Sequence, residues 1–272
     1  LYVPLAIFPS RHNQRDAQKG GIMSSEKYKV VYPDHDNNLD QNKEFFTLVT
    51  ENGEQRLRVH DYDRVYQVPG LYEKVVYDRL QCDSPDMVCS LLTQKINEVG
   101  EPEGQVRVLD FGAGNGIVGE CLVEKFDCDA LVGLDIIPEA KDAAHRDRPD
   151  IYDDYYVMDL SDPSNDDLQT LDQWNFNVLL TVAALGYGDI PTQGFINAFN
   201  LVEKDGWIAF NIKDRFMSDE DDTGYHDTIN AMMGDSLEAL KVKHYCHRLS
   251  MSGEPLHYYA VIGRKKGDVS LT

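Results

Sequence analysis

The chain has 272 residues, enough for one large α/β domain or for a domain with an extension. It is 42% apolar and 27% charged, an ordinary composition for a globular protein with a sizeable core. Lys and Arg number 26 against 47 Asp and Glu, and the formal net charge of −21 repels phosphate backbones and anionic lipid surfaces. Arg264-Lys265-Lys266 is the one tight basic run, so nucleic acid is disfavoured as a partner. No apolar stretch approaches the length of a membrane span, so no membrane partner is expected. The five cysteines form no C-x-x-C pair and their number is odd, so neither a disulfide framework nor a zinc site is signalled, and no metal is expected. A reducing, cytoplasmic compartment fits that pattern.

Residues 1–22 precede Met23-Ser-Ser-Glu, which reads as a natural start, so they are taken as a leader or an added segment. Residues 23–104 read as an N-terminal extension and lid, helical or irregular, of which residues 23–58 pack loosely on the main domain. Within it Tyr28–Tyr32 is a candidate short strand, Phe45, Phe46, Leu48 and Val49 form an apolar cluster, and Asn52-Gly53 signals a turn. Pro69-Gly70 opens a helix with Leu71, Val75, Val76 and Leu80 on one face. Tyr62, Tyr66, Tyr72 and Tyr77 recur around it, as packing residues with polar tips or as part of a lid, formed by residues 60–80, over a ligand pocket. Ser84-Pro85-Asp86 reads as an N-cap, a proline at the first helical position and an acid in the first turn, and the helix runs to about Gly100.

From residue 105 to 272 strands and helices alternate, which calls for a doubly wound, mostly parallel sheet. Strands are expected at 106–111, 130–136, 155–159, 176–182 and 206–212. Helices are expected at about 115–126, after Pro138, at 192–202 and at 227–240. A short acidic connection joins the third strand to the fourth. Two final strands, about 242–249 and 257–263, close as an antiparallel hairpin around Met251-Ser-Gly-Glu-Pro255.

The most informative stretch is Leu109-Asp110-Phe111-Gly112-Ala113-Gly114-Asn115-Gly116, where a strand passes through glycines into a helix. Glycine tolerates positive φ and lets a ligand lie against bare backbone, and the helix start supplies free N–H groups. A dinucleotide-binding G-x-G-x-x-G turn would need a third glycine where Ile117 stands. Asp135 lies 21 residues beyond Gly114 at the end of the second strand, where a carboxylate can accept both hydroxyls of a ribose.

This run resembles the first motif of class I S-adenosylmethionine-dependent methyltransferases, and the terminal hairpin is similar to the end of their seven-stranded sheet, whose last strand inserts antiparallel. The resemblance covers residues 106–263. It implies S-adenosyl-L-methionine as cofactor, with Gly112, Ala113 and Gly114 under its methionine part and Asp110 behind them. It also implies Asp135 at the ribose, Asp159 at the adenine amino group, Ile136 and Leu160 on the two faces of the ring, and Val182 bordering the transferred methyl. Asp159 also suits an ordinary turn acid. Asn177 departs from the acid often found early in the fourth strand.

After the fourth strand, Leu180–Asp189 holds neither the Asn/Asp-Pro-Pro-aromatic run nor the Pro-Cys of nucleic-acid methylating branches. The implied activity is therefore methyl transfer to a small or medium-sized acceptor. In-line displacement needs positioning more than a fixed catalytic residue. Tyr66, Tyr72, Tyr187 and His226 are the candidates for acceptor contact or base. A non-catalytic scaffold keeping the fold and an NAD-dependent oxidoreductase are the alternatives, and oligomeric state is not legible.

Overall fold

The computed structural model describes residues 27–33, 39–102 and 104–270. The leader expected at 1–22 lies outside them.

The region before residue 105 is more ordered than its sequence suggests. Strands β1 (Tyr28–Val31), β2 (Phe45–Thr50) and β3 (Gly53–Arg58) form an antiparallel sheet in the order β1-β2-β3. The Asn52-Gly53 signal marks the tight β2–β3 turn, where Gly53 has φ +119°. Phe46, Leu48 and Leu57 point one way and pack on Val65, Leu71, Val75, Val76 and Leu80. Those residues belong to α1 (Tyr62–Val65), α2 (Leu71–Glu73) and the wide helical turn Lys74–Arg79 that continues it. The packing is not loose. Glu44 and Arg248, both almost fully buried, pair at 2.7 Å, and the other Glu44 oxygen accepts the Met251 N–H at 2.5 Å. Helix α3 (Ser84–Val99) follows, with Asp83 rather than Ser84 at the N-cap.

The second sheet has seven strands: β4 (Arg107–Phe111), β5 (Ala130–Asp135), β6 (Asp154–Val157), β7 (Val178–Thr181), β8 (Trp207–Lys213), β9 (Leu237–Leu249) and β10 (Pro255–Lys265). Their order is β6-β5-β4-β7-β8-β10-β9. The first five are parallel, and β10 lies antiparallel between β8 and β9. The expected doubly wound sheet with an inserted antiparallel last strand is therefore present.

Helices cover both faces, so the central strands are mainly apolar rather than alternating with polar residues, with Asp110, Thr181 and Asn211 as buried exceptions. Val108, Leu131, Leu180 and Ala209 face α3 and α4 (Ile117–Val123). Their neighbours Leu109, Val132, Leu179 and Ile208 face the opposite layer. That layer holds α6 (Asn165–Asp172), α7 (Thr192–Asn200) and α8 (Tyr225–Ala231). Helix α5 (Pro138–Asp147) presents Ala140, Ala143 and Ala144 to buried tyrosines.

Two elements depart from the sequence reading. The acidic connection before β7 contains α6, started by a capping box between Ser164 and Asp167. The last predicted helix ends early, and residues 237–241 instead open β9, paired with the far end of β10. A register shift falls between Ile262 and Gly263, and a Cβ on Gly263 would meet the Glu238 carbonyl at 2.5 Å. The glycine lets the strands approach there, and pairing overrides the local helical pattern.

Candidate active site

The turn after β4 is held from β5. The N–H groups of Gly112 and Ala113 both donate to the Leu134 carbonyl, at 2.8 and 3.1 Å. The Gly114 N–H donates to Asp135 Oδ2 at 2.9 Å, and the Ile137 N–H donates to Oδ1 at 3.0 Å. The Tyr155 hydroxyl donates to the Gly114 carbonyl at 2.8 Å. Gly112, Gly114 and Gly116 have φ of +76°, +54° and +86°, and Gly116 turns the chain into α4 at Ile117, two residues later than the sequence suggested. A Cβ on Gly112 would lie 2.6 Å from the Ala184 Cβ, and one on Gly114 would lie 2.6 Å from the Tyr66 hydroxyl. Both glycines thus let Ala184 and Tyr66 pack closer to the main chain than a residue with a Cβ would allow.

A cavity opens over this turn, at the carboxyl ends of β4, β5, β6 and β7. Such an edge is where open α/β sheets take ligands. Gly112, Ala113, Gly114, Asp135, Ile136, Asp159, Leu160 and Val182 all line it. Asp135 retains a lone pair on each oxygen beyond its backbone bonds. Burial raises its pKa against the pull of the Gly114, Ile137 and Ile136 N–H groups. Asp159 closes a turn, accepting from the Ser161 hydroxyl at 2.6 Å and the Ser161 N–H at 2.8 Å, and these bonds lower its pKa. Asp110 lies beneath the turn, fully buried, and does not line the cavity. Its Oδ2 accepts from the Tyr152 hydroxyl at 2.8 Å, and among the described residues its Oδ1 has no hydrogen-bond partner. Burial pushes its pKa up to about 7, the Tyr152 bond opposes this, and the Asp135 charge adds to it.

The opposite wall comes from the 60–80 segment. Tyr62, Tyr66, Tyr72 and Tyr77 all line the cavity. Tyr62 and Tyr66 stack at 5.8 Å between centroids, and Tyr66 meets Tyr72 at 5.0 Å. Burial raises the pKa of all four, so they stand as neutral phenols. Arg148 latches this segment to the turn. It reaches Glu73 at 3.0 Å, the Asn115 carbonyl at 3.2 Å and Glu120 at 2.8 Å, while the Asn115 amide donates to Glu73 at 2.7 Å.

A smaller cavity adjoins the first. Tyr62, Tyr72, Ala183 and Asp189 line both. Tyr187 lines only the smaller one, with positive φ of +54°, and accepts from the Lys213 ammonium. Ala183, with φ +58°, is fixed by its N–H bond to Asn211 Oδ1 at 2.6 Å. Asn211 in turn bonds Ser84 at 2.9 Å and Tyr245 at 2.7 Å, so the serine read as a helix cap serves this buried network instead. His226 lines neither cavity and bonds Asn230 at 2.8 Å on α8. Sequence reasoning missed His60, which lines the smaller cavity and pairs with Asp189 at 3.1 Å. The two lie far apart in the chain, and no local spacing links them.

No family model matches the chain, and no curated protein matches it. Among solved structures, the N-methyltransferase NodS from Bradyrhizobium japonicum WM9 is 14% identical, over 71% of this chain and 99% of its own, with a TM-score of 0.47. An S-adenosylmethionine-dependent methyltransferase from Anabaena variabilis ATCC 29413 is 12% identical over 77% and 96%, with a TM-score of 0.49. The CurJ carbon methyltransferase is 9% identical, and this chain spans 54% of it, with a TM-score of 0.49. At these scores the likenesses carry no argument of their own, and the strand order does. Five parallel strands, crossed at β4 and closed by β10 inserted antiparallel between β8 and β9, are the sheet that the resemblance to the class I methyltransferases implied.

Proposed function

We propose that the protein is an S-adenosylmethionine-dependent methyltransferase that acts on a small or medium-sized acceptor in a reducing, cytoplasmic compartment. The observation that carries this reading is the Asp135 carboxylate at the cavity floor, bonded to Gly114 of the bare glycine turn. The cradle fits the cofactor on two counts. Gly112 and Gly114 bring main chain at positive φ to the cavity lining. Asp135 keeps acceptor capacity for paired hydroxyls. On this reading Gly112, Ala113 and Gly114 hold the methionine part, Asp135 the ribose, and Asp159, Ile136 and Leu160 the adenine, with Val182 near the methyl. Asp110 acts from below by setting the turn.

When bound, S-adenosylmethionine supplies an electrophilic methyl group whose bonding electron pair leaves with sulfur. The chain's own task is to orient the two reactants and exclude water. The tyrosine wall suits that task, and Tyr66 and Tyr72 stand where an acceptor would pass. Ile117 argues against a nicotinamide dinucleotide, since the close helix–strand packing served by the third glycine is missing. Isothermal titration of S-adenosylhomocysteine into the wild type and Asp135→Ala tests the reading. The variant should stay folded and bind at least about tenfold more weakly, the loss of a charged hydrogen bond. Equal affinities would count against the assignment. A larger thermal shift with NAD than with S-adenosylhomocysteine would favour the oxidoreductase instead.

A further inference from the structure

Two of the five cysteines meet between α3 and α4, in the layer that covers one face of the parallel sheet. Cys89, on α3, is fully buried, and its thiol donates to the Val118 carbonyl of α4 at 3.9 Å. Val118 and Cys121 stand three residues apart and so share a face of that helix. Cys121 packs at the edge of the same apolar cluster, half-buried, with its sulfur within hydrogen-bonding reach of Cys89. An ion pair closes the same helix junction. Lys125 Nζ, one turn beyond Cys121, lies 2.8 Å from Oδ1 of Asp86, which stands one turn before Cys89.

This setting makes the two sulfurs unequal. The Cys89 S–H, and after it the Lys125 ammonium, hold the Cys121 thiol below its ordinary range, against the effect of burial. The bond to Cys121 and burial push the Cys89 thiol well up, and the Asp110 charge adds to this. One sulfur is therefore a thiolate within reach of solvent, and the other is a protonated thiol directly behind it. A stabilised thiolate attacks peroxides, and a second thiol beside it converts the product to a disulfide. The other cysteines are placed differently: Cys246 is exposed on β9, and Cys82 lies 3.8 Å from His247. The pair also touches the larger cavity, because Ile117 and Val118 in the first turn of α4 line it.

We propose that Cys121 and Cys89 form a peroxide-reactive modification site, in which Cys121 is oxidised first and Cys89 then closes a reversible disulfide between α4 and α3. In the first step the Cys121 sulfur attacks one peroxide oxygen. The S–O bond forms, the O–O bond breaks, and the leaving hydroxide takes a proton to become water. Cys121 is oxidised to a sulfenic acid and the peroxide is reduced. In the second step the Cys89 sulfur attacks the Cys121 sulfur. The S–S bond forms, the S–O bond breaks, and the hydroxide leaves as water with the proton from Cys89. Two thiols and one hydrogen peroxide thus give one disulfide and two waters. Closing the sulfurs to about 2.0 Å draws Cys89 off the Val118 carbonyl and shifts the first turn of α4. Weaker binding of the nucleoside follows, a consequence that rests on the methyl-transfer reading.

The full chain is treated with hydrogen peroxide, digested and read by mass spectrometry, with dimedone present in parallel samples to trap sulfenic acid. The wild type should give a peptide linked through Cys89 and Cys121 that dithiothreitol removes. Cys89→Ala should give no linked peptide and should instead carry dimedone on Cys121 before Cys246. Cys121→Ser, at the less buried partner, should give neither product at these positions. Calorimetry should show S-adenosylhomocysteine bound at least about threefold more weakly by the bridged wild type, the loss of a weak hydrogen bond, with recovery on reduction. Absence of the linked peptide, or dimedone on Cys246 ahead of Cys121, would overturn the site. A bridged chain with unchanged affinity would overturn its link to the cavity. Failure of the reduced wild type to bind S-adenosylhomocysteine would overturn the methyl-transfer reading and that link with it, while the masses still decide the site.

Discussion

Single residues at the glycine turn carry unequal strain if replaced. Gly112→Ala places a methyl against the Ala184 Cβ, which cannot turn aside, in a left-handed backbone. The variant should lose about 2–4 kcal/mol of stability, summing the backbone and overpacking costs, and urea unfolding measures it. Gly114→Ala instead meets the end of a side chain, the Tyr66 hydroxyl. Adding Tyr66→Phe should recover part of the loss, so a double-mutant cycle should show coupling of about 0.5 kcal/mol or more, whereas additive costs would deny the contact. These glycines and Asp135 were legible in the sequence because they stand at the ends of two successive parallel strands at a short, regular spacing. His60 and Asp189 were not, since only the packing of β3 against the loop after β7 brings them together. Ser84 was misread for the same reason: its hydroxyl is claimed by Tyr245, His247 and Asn211, partners remote in sequence.

Among the elements, the N-terminal sheet is tied to the β9–β10 hairpin by the buried Glu44–Arg248 pair, with Met251 of the hairpin turn packed into the same core. Removing one partner leaves the other charge buried and alone. Glu44→Ala should therefore cost about 3–5 kcal/mol. Hydrogen exchange should rise first at residues 45–58, with the parallel strands still protected; uniform loss of protection would show that the two sheets unfold as one unit. The parallel strands were readable as apolar runs bounded by turn signals. The sheet of β1, β2 and β3 was not, because β3 sends only Leu57 inward and its other side chains are polar and exposed. Its strand character comes from pairing with β2. Helix α6 carried a usable signal in Ser164 and Asp167, but only Leu171 of its body is buried, too little for an apolar period to stand out.

For the molecule as a whole, charge sets the response to pH. Asp110 titrates at 3.8 in an ordinary setting and is pushed up to about 7 by burial. Its contribution to stability is whole below about pH 4. It falls as pH rises through the interval, because the unfolded chain releases a proton that the native state must keep, and it levels off above about pH 7. The total is on the order of 4 kcal/mol. Asp135 is shifted in the same direction and adds to the trend. Urea unfolding between pH 4 and 8 should show the wild type losing stability with rising pH, and Asp110→Asn should flatten much of that slope; parallel curves would mean that Asp110 is already ionised in the native state. With a formal charge of −21, added salt should also raise stability by screening self-repulsion. No helix among the described residues is long and apolar enough to cross a membrane.

A crystal structure of the protein with S-adenosylhomocysteine tests the central claim most directly. The account predicts the nucleoside across the carboxyl ends of β4, β5 and β6, both ribose hydroxyls within roughly 3 Å of the Asp135 carboxylate and the amino-acid part against Gly112 and Gly114. Density that leaves this cavity closed by Tyr62, Tyr66 and Tyr72, or that places the nucleoside away from Asp135, would contradict it.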